Sequence, residues 1–168
     1  VLVSLSNLQA GGVDNGMIET RNSTGGVLAQ IGSGPGGGNV ITQNGKGQML
    51  VVLAANKDGN GLVETHNGKG GKLVVLAATT EGQGSVTTKN GKGQTLVKLA
   101  ATTKGYGAVE TQNGKGQALV TLSATDGGGL VETQNGKGGT LVRITTDQSG
   151  NGAVLAQDTS GNIKATLP

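Results

Sequence analysis

Apolar and polar residues alternate along most of the chain in short segments separated by glycine-containing turns. In the stretch NGKGQTLVKLAATTKGYGAVETQ, residues 90–112, the two apolar-rich segments are TLVKLAAT and AVETQ. Alternation with a period of two is typical of β-strands, whereas an amphipathic helix needs apolar residues spaced by three and four over about ten residues. No segment keeps that helical spacing, and the glycines would break each helix. The pattern therefore predicts an all-β fold.

This pair of segments recurs along the whole chain. The motif NGKG begins at residues 44, 67, 90, 113 and 135, with spacings of 23, 23, 23 and 22 residues. Degenerate copies on both sides divide the chain into the repeats 1–21, 22–43, 44–66, 67–89, 90–112, 113–134, 135–157 and a partial repeat, 158–168. Repetition with such a period indicates a repeat architecture. We therefore expect one repetitive domain, residues 1–168, with two strands in each repeat.

Alternation assigns small aliphatic side chains to one inner face of the predicted strands. The predicted core and assembly residues on this face are Val74, Leu76, Val86, Val97, Leu99, Val109, Val120, Leu122, Val131, Val142, Ile144 and Val154. Residues between them, such as Lys98 and Arg143, then face water. The leucines before the inward valines are Leu50, Leu73, Leu96, Leu119 and Leu141. By alternation these leucines fall on the outer face, where they either form a contact stripe or fold over a sheet edge.

Asn-Gly between alternating segments is the strongest short hairpin signal, because both residues accept a positive φ. The predicted turn residues are Asn67, Gly68, Asn90, Gly91, Asn113, Gly114, Asn135 and Gly136. A two-residue Asn113-Gly114 loop pairs Gln112 with Lys115, and a three-residue loop, residues 104–106, sets Ala101 opposite Val109. In the 22-residue repeat, a two-residue loop at residues 127–128 pairs residue 126 with residue 129 and absorbs the deletion.

Connected in this way, the strands form a meander of about fifteen strands, and a spacing of about 4.8 Å gives a sheet about 70 Å long. A single-chain parallel β-solenoid is the alternative, because about 23 residues make a plausible coil and the asparagines could stack at one corner. The polarity of neighbouring strands distinguishes the two folds.

Composition restricts the core and the chemistry. The chain has 34 glycines, one tyrosine and no Phe, Trp or Cys, which excludes an aromatic core, disulfides and thiolate metal sites. Glycine does not recur at every third position, which excludes collagen. The charge of +3 is spread along the chain and aromatic stacking platforms are missing, so nucleic acid is not an expected partner. No apolar run approaches the roughly 18 residues of a membrane helix, and the start VLVSL indicates an excised or processed fragment.

The inner face is too small to stabilise an isolated meander, because each repeat offers only about three Val or Leu side chains against the entropy of ordering about 23 residues. We therefore expect other sheets to cover it. Three identical sheets closed into a triangular prism would bury it around a narrow axis, which predicts a homotrimer. Unpaired terminal strands near Val1 and Pro168 could in addition join trimers end to end into a filament.

The chemistry-bearing residues do not form a catalytic set or a metal site, and no cofactor is expected. Five lysines of the NGKG turns form a predicted row along one edge: Lys46, Lys69, Lys92, Lys115 and Lys137. This row could bind glycans or anionic surfaces, or it could serve solubility and pair diagonally with Glu64, Glu110 and Glu132. Asp58 and Asp147 are interpreted as turn residues, and His66 as a lone exposed substitution.

The segments GLVETHNGKGGKLVVLAAT and GNGAVLAQDTSGNIKATL resemble the glycine-rich β repeats of bacterial cell-surface and phage tail-fibre-like proteins, in which G-x-G-x-V, N-x-x-G and LVxL recur in long shafts. The resemblance implies a trimeric, elongated stalk that is extracellular, at a cell surface or on a virion. We therefore expect a structural shaft without enzymatic activity. The alternatives are an adhesin-type module that binds glycans or surfaces through the lysine row or outer face, and a monomeric solenoid that binds ice or surfaces.

Overall fold

The alternating segments form strands, as predicted. A computed structural model describes residues 2–10, 13–34 and 36–167, and these residues form fifteen β-strands and no helix. The chain divides into two units: Val1–Gly82 with Gly91–Gly93, and Gln83–Asn90 with Gln94–Pro168. Val1 and Pro168, which were named as the ends of a filament contact, lie outside the described residues.

The first unit contains seven strands, each paired with the next strand in sequence. They are β1 (Leu2–Ala10), β2 (Val13–Arg21), β3 (Val27–Gly34), β4 (Gly37–Gln43), β5 (Met49–Ala55), β6 (Gly61–His66) and β7 (Lys72–Ala78). All six pairings are antiparallel.

The second unit continues the same pattern with eight strands. They are β8 (Gly84–Lys89), β9 (Thr95–Ala101), β10 (Gly107–Gln112), β11 (Ala118–Thr125), β12 (Gly128–Gln134), β13 (Thr140–Thr146), β14 (Gly152–Gln157) and β15 (Ile163–Leu167). Its seven pairings are again antiparallel. The predicted meander is therefore confirmed within each unit. The parallel solenoid is wrong for these strands, because its coils would pair parallel.

The turns differ from the two-residue Asn-Gly loops that the sequence predicted. In the turn between β10 and β11, the Asn113 carbonyl accepts a hydrogen bond from Gly116 N at 3.0 Å, and Asn113 N donates to the Gln117 carbonyl at 2.9 Å. Positive φ occurs at Gly116, not at Asn113 or Gly114. Gln112 consequently pairs with Ala118 instead of Lys115. This is the longer hairpin connection in which a four-residue turn ends in a glycine with positive φ.

The loops at the opposite edge also shift the predicted register while keeping the same faces together. Ala101 lies opposite Gly107 instead of Val109, because the turn runs from Thr102 to Tyr106. In the short repeat the two-residue connection is residues 126–127 instead of residues 127–128. The displacement is two residues in the first case, so alternation still places the same side chains on the same face.

The leucine that recurs in each NGKG repeat lies in a β-bulge. Gln112 pairs with Ala118 and Thr111 pairs with Val120, so Leu119 is an extra residue without a cross-strand partner. The same shift in register surrounds Leu50, Leu73, Leu96 and Leu141. Strict alternation fails at a bulge, so these leucines cannot be assigned to the outer face as the sequence pattern suggested.

Where side-chain burial is described, none of the hydrophobic side chains is buried, so these residues form no hydrophobic core. The hydrophobic side chains are instead half-buried by their neighbours or exposed. The described part of the chain also holds no helix of the length and hydrophobicity that a membrane span requires.

Candidate functional site

One face of each unit carries a continuous row of large aliphatic side chains. The row consists of Ile18, Ile31, Val40, Leu53, Val63 and Leu76 in the first unit and Val86, Leu99, Val109, Leu122, Val131, Ile144, Val154 and Leu167 in the second. Within a unit each member lies directly opposite the next, so their side chains point to the same side. We call this side the aliphatic face. Ile31 is 51 % exposed and Leu122 is 45 % exposed.

Two further rows flank the large side chains on the aliphatic face. On the side of the NGKG turns, valine and threonine alternate: Thr65 opposes Val74, Thr88 opposes Val97 and Thr133 opposes Val142. On the other side, alanine faces glycine in pairs such as Ala55 with Gly61 and Ala101 with Gly107. From β3 to β7 and from β8 to β15, none of the paired residues on this face is charged.

All the predicted core and assembly residues lie on the aliphatic face. Val74, Val97, Val120 and Val142 belong to its valine–threonine row. Leu76, Val86, Leu99, Val109, Leu122, Val131, Ile144 and Val154 belong to its central row. Within each unit these residues share one face, and they are exposed or half-buried within the chain.

The opposite side of each sheet, the charged face, carries acidic residues that are more buried than any of the aliphatic side chains. Glu19 is 5 % exposed, Glu64 is 6 % exposed and Glu132 is 7 % exposed. Each is covered by polar neighbours on the same face, starting with the residue two positions later. Glu19 accepts a hydrogen bond from Arg21, and Glu110 accepts one from Gln112.

Of the three buried glutamates, Glu132 in the second unit has the most hydrogen bonds. Its Oε2 accepts hydrogen bonds from Arg143 Nε at 2.9 Å and Nη2 at 2.6 Å, and its Oε1 accepts from Gln134 at 2.6 Å and from Thr140 at 3.1 Å. Burial raises the pKa of this carboxyl, but the hydrogen bonds from Gln134, Arg143 and Thr140, with the Arg143 charge, hold it below its ordinary value. The carboxylate is therefore ionised and structural at neutral pH.

His66 is buried, so its interpretation as an exposed substitution was wrong. Its ring nitrogens lie 3.1 Å from Glu64 Oε2 and 3.2 Å from the Gly70 carbonyl, and Lys72 also binds Glu64. Glu64 and Glu132, considered as diagonal partners of the turn lysines, bind Lys72 and Arg143 on the charged face instead. Partners two residues apart share a face of a strand, so the sequences ETR, ETH and ETQ carried a signal for the contacts within these triplets.

The NGKG turns line one edge of each unit, where we call Lys46, Lys69, Lys92, Lys115 and Lys137 the lysine edge. All five lysines are exposed. The turns are closed by asparagine: Asn67 Oδ1 accepts hydrogen bonds from Lys69 N and Gly71 N, both at 2.9 Å. The predicted turn residues therefore lie in the turns, and their asparagines are required as side-chain acceptors.

The turns at the other edge carry both charges. Lys57 lies 2.7 Å from Asp58, and Lys104 lies 2.6 Å from Asp126, which also accepts a hydrogen bond from the Tyr106 hydroxyl. The hydrogen bonds from Lys104 and then Tyr106 lower the pKa of Asp126, and the same carboxylate raises the pKa of Tyr106.

The two acidic residues interpreted as turn residues, Asp58 and Asp147, have structural partners. Asp147 Oδ1 accepts hydrogen bonds from Ser149 N and Asn151 N, both at 2.8 Å, which agrees with its interpretation as a turn residue. Asp58 lies in a turn closed by Asn56, whose Oδ1 accepts from Asp58 N at 2.9 Å. Among the described residues no three His, Cys, Asp or Glu side chains are grouped so that they could hold a metal ion.

Comparison of the chain with models of protein families finds no match, and comparison with curated proteins finds none either. The function is therefore inferred from the two faces and the two edges of each unit.

Proposed function

We propose that this chain is a structural repeat module that forms the shaft of an extracellular fibre or filament. In the proposed assembly, three copies of the chain close their aliphatic faces around a common axis. The observation that supports the proposal most strongly is the uninterrupted row of exposed or half-buried aliphatic side chains, from Ile18 to Leu76 in the first unit and from Val86 to Leu167 in the second.

Exposure of this row is unfavourable in water. Ordinary monomers expose apolar residues singly, whereas this stripe places one on every strand. Such a continuous stripe is typical of an interaction surface. Burial would stabilise the assembly by about 1.5–3 kcal/mol for each Val, Leu or Ile fully removed from water. Ile31, Leu99 and Leu122 are each more than 40 % exposed, so much of that free energy is still unused in the single chain.

A second copy of the same chain is the partner that matches this face best. The apolar positions recur with every two strands, about every 10 Å along the sheet, and an identical chain has the same spacing. From β3 to β7 and from β8 to β15 the paired residues of this face carry no charge, so the partner surface needs no complementary charge there. The face is only three rows wide and contains no aromatic side chain, so three such sheets can close around a narrow axis with little space left.

The assembly can be tested with two identical substitutions on adjacent residues of β8. Thr88 lies opposite Val97 on the aliphatic face, and Thr87 lies opposite Lys98 on the charged face. Thr88→Asp would place a carboxylate in the proposed apolar interface, where burial without a partner is costly. Thr87→Asp introduces the same charge beside a lysine. Molar mass by light scattering, with circular dichroism as the check on strand content, measures the outcome.

We expect the unmodified chain and Thr87→Asp to have three times the mass of the 16.4 kDa chain. We expect Thr88→Asp to lose the trimer. A folded monomer of the unmodified chain would overturn the proposal. Loss of the trimer in both variants would show that the aliphatic face is not the specific interface.

A further inference from the structure

We propose that, within each unit, the lysine edge is a binding site for a linear acidic polysaccharide that carries one carboxylate or sulfate group in each disaccharide. This inference goes beyond the shaft function, because it concerns an edge of the sheet and not the aliphatic face. It rests on how the turns present the lysines, on the absence of ion-pair partners of Lys46, Lys69, Lys115 and Lys137 among the described residues, and on the spacing between these four charges.

The turns hold the lysine main chain in a fixed conformation. In four of them the lysine N–H donates to the asparagine two residues earlier, at 3.0 Å for Lys46 and 2.9 Å for Lys69, Lys115 and Lys137. The asparagine carbonyl accepts the N–H of the following glycine, at 2.9 Å in the first turn and 3.0 Å in the other three. Each lysine side chain therefore projects from the same position of an equivalent turn. Binding does not need to order the backbone first.

The ammonium groups of these four lysines take part in none of the ion pairs formed between described residues. The lysines of the opposite edge differ, because Lys57 is paired with Asp58 and Lys104 with Asp126. The carboxylates nearest in sequence, such as Glu64 and Glu132, are occupied on the charged face. The positive potential of the lysine edge is thus not cancelled locally and can attract an anionic polymer.

The spacing between the lysines selects the kind of polymer. Lys46 and Lys69 lie in the turns before β5 and β7, two strands apart, which corresponds to about 10 Å. Lys115 and Lys137, before β11 and β13, have the same separation in the second unit. Two sugar rings of a linear polysaccharide extend over about that length, so a polymer with one anionic group per disaccharide matches the lysines one to one.

Nucleic acid matches this edge less well. Duplex DNA carries one negative charge per about 1.7 Å of its axis, so most phosphates would have no lysine to contact. Single strands are normally held by aromatic side chains as well. The chain has no Phe or Trp, and Tyr106 lies at the opposite edge, bound to Asp126.

Glutamine side chains of the same turns can contribute to binding of sugar hydroxyl groups. Gln48 and Gln117 accept hydrogen bonds from Asn44 at 2.9 Å and Asn113 at 2.8 Å through Oε1. This orients each amide, and the Nε2 group donates no hydrogen bond to another described residue. An amide donor thus accompanies a lysine in these turns.

Two double variants with equal changes of charge test the proposal. Lys115→Gln with Lys137→Gln removes two positive charges from the lysine edge. Lys57→Gln with Lys104→Gln removes two from the opposite edge and is the matched control. The probe is fluorescein-labelled hyaluronan, which has one carboxylate per disaccharide, and binding is followed by fluorescence anisotropy over a series of salt concentrations. Neutral dextran and duplex DNA are the comparison polymers.

We expect saturable binding of hyaluronan by the unmodified chain, with affinity that falls as salt is added. The lysine-edge variant should bind more weakly by up to about 25-fold, because each exposed ion pair that is lost contributes at most a factor of about five. Its salt dependence should also be shallower, because two fewer charges of the chain interact with the polymer and are screened by salt. The control variant should change affinity by less than about threefold, because ion-paired lysines contribute little to the field.

The proposal is overturned if hyaluronan does not bind saturably at low salt, or if the two double variants weaken binding equally. Binding of dextran as strong as that of hyaluronan would also contradict it, as would tighter binding of DNA at equal concentrations of charge. Light scattering of each variant separates this inference from the shaft. A trimer that does not bind hyaluronan refutes only the polysaccharide site, whereas a monomer that binds it refutes only the trimer.

Discussion

The position of positive φ in the NGKG turns leads to a sharp prediction about stability. Alanine has a Cβ that strains a backbone with positive φ, whereas glycine does not. The last glycines of three turns have φ values of 76° at Gly47, 85° at Gly70 and 81° at Gly116. The first glycines of the same turns, Gly45, Gly68 and Gly114, do not have positive φ. Substituting each set with alanine therefore separates the two kinds of glycine within the same turns.

The magnitude follows from conformation alone, because space is available at all three strained positions. An added Cβ would meet nothing within 4 Å at Gly70 or Gly116, and at Gly47 only the Gln43 side chain at 4.0 Å. Left-handed backbone costs a residue with a Cβ about 1–2 kcal/mol. Three separate turns give about 3–6 kcal/mol if the effects add, which is a large part of the 5–15 kcal/mol by which domains are typically stable.

The control set is expected to be neutral or slightly stabilising. Its new Cβ atoms would lie no closer than 3.5 Å to a neighbour, at Gly114. Alanine also lowers the entropy of the unfolded chain, which stabilises the folded state by about 0.4–1 kcal/mol per site. Urea denaturation followed by circular dichroism, at one protein concentration, measures both sets. If the turns were two-residue Asn-Gly loops, the outcomes would be reversed, and such a reversal would refute the turn geometry described above.

Three further predictions concern the turns, acid stability and the repeat. Asn67→Ala removes an acceptor of two backbone hydrogen bonds and should destabilise the chain by about 1–2 kcal/mol in urea denaturation, whereas Asn67→Asp keeps the acceptor and should stay near the unmodified stability. Hydrogen bonds from Lys164 and then Asn162 lower the pKa of Asp158 from 3.8 to about 2. The contribution of Asp158 to stability is therefore complete above pH 3.8 and is lost as pH falls toward 2. Asp158→Asn should make the thermal midpoint less steeply dependent on pH in that interval, and an unchanged slope would contradict this. Deletion of residues 113–134 removes two strands and joins equivalent positions, so the shorter chain should keep its strand content by circular dichroism and its oligomeric state by light scattering.

Much of the strand pattern could be predicted because alternation is a local property. Val109 and Leu99 share a face as expected, and they are directly paired in the structure. The lysine edge could also be located, because equivalent residues of a repeat occupy equivalent turns. Both inferences need only the period of two along a strand and the period of the repeat.

The turn type was predicted wrongly because two local signals compete in the same four residues. Asn-Gly favours a two-residue loop, but the glycine two positions later accepts positive φ equally well. The longer turn in addition lets Asn113 Oδ1 accept hydrogen bonds from Lys115 N at 2.9 Å and Gln117 N at 3.1 Å. The two hydrogen bonds that the asparagine side chain accepts in each turn favour the longer connection. The bulge at Leu119 follows from this longer turn, because one residue is left without a partner.

The sequence alone determined the all-β class, the repeating pair of strands and the separation of aliphatic from charged residues, because each depends on spacing along a single strand. Only the tertiary structure decided the register, the bulges and the polar network that buries Glu64, His66 and Glu132. Those features depend on which residues of neighbouring strands lie side by side, and small differences in hydrogen bonding at the turns select among registers that a periodic sequence makes nearly equivalent.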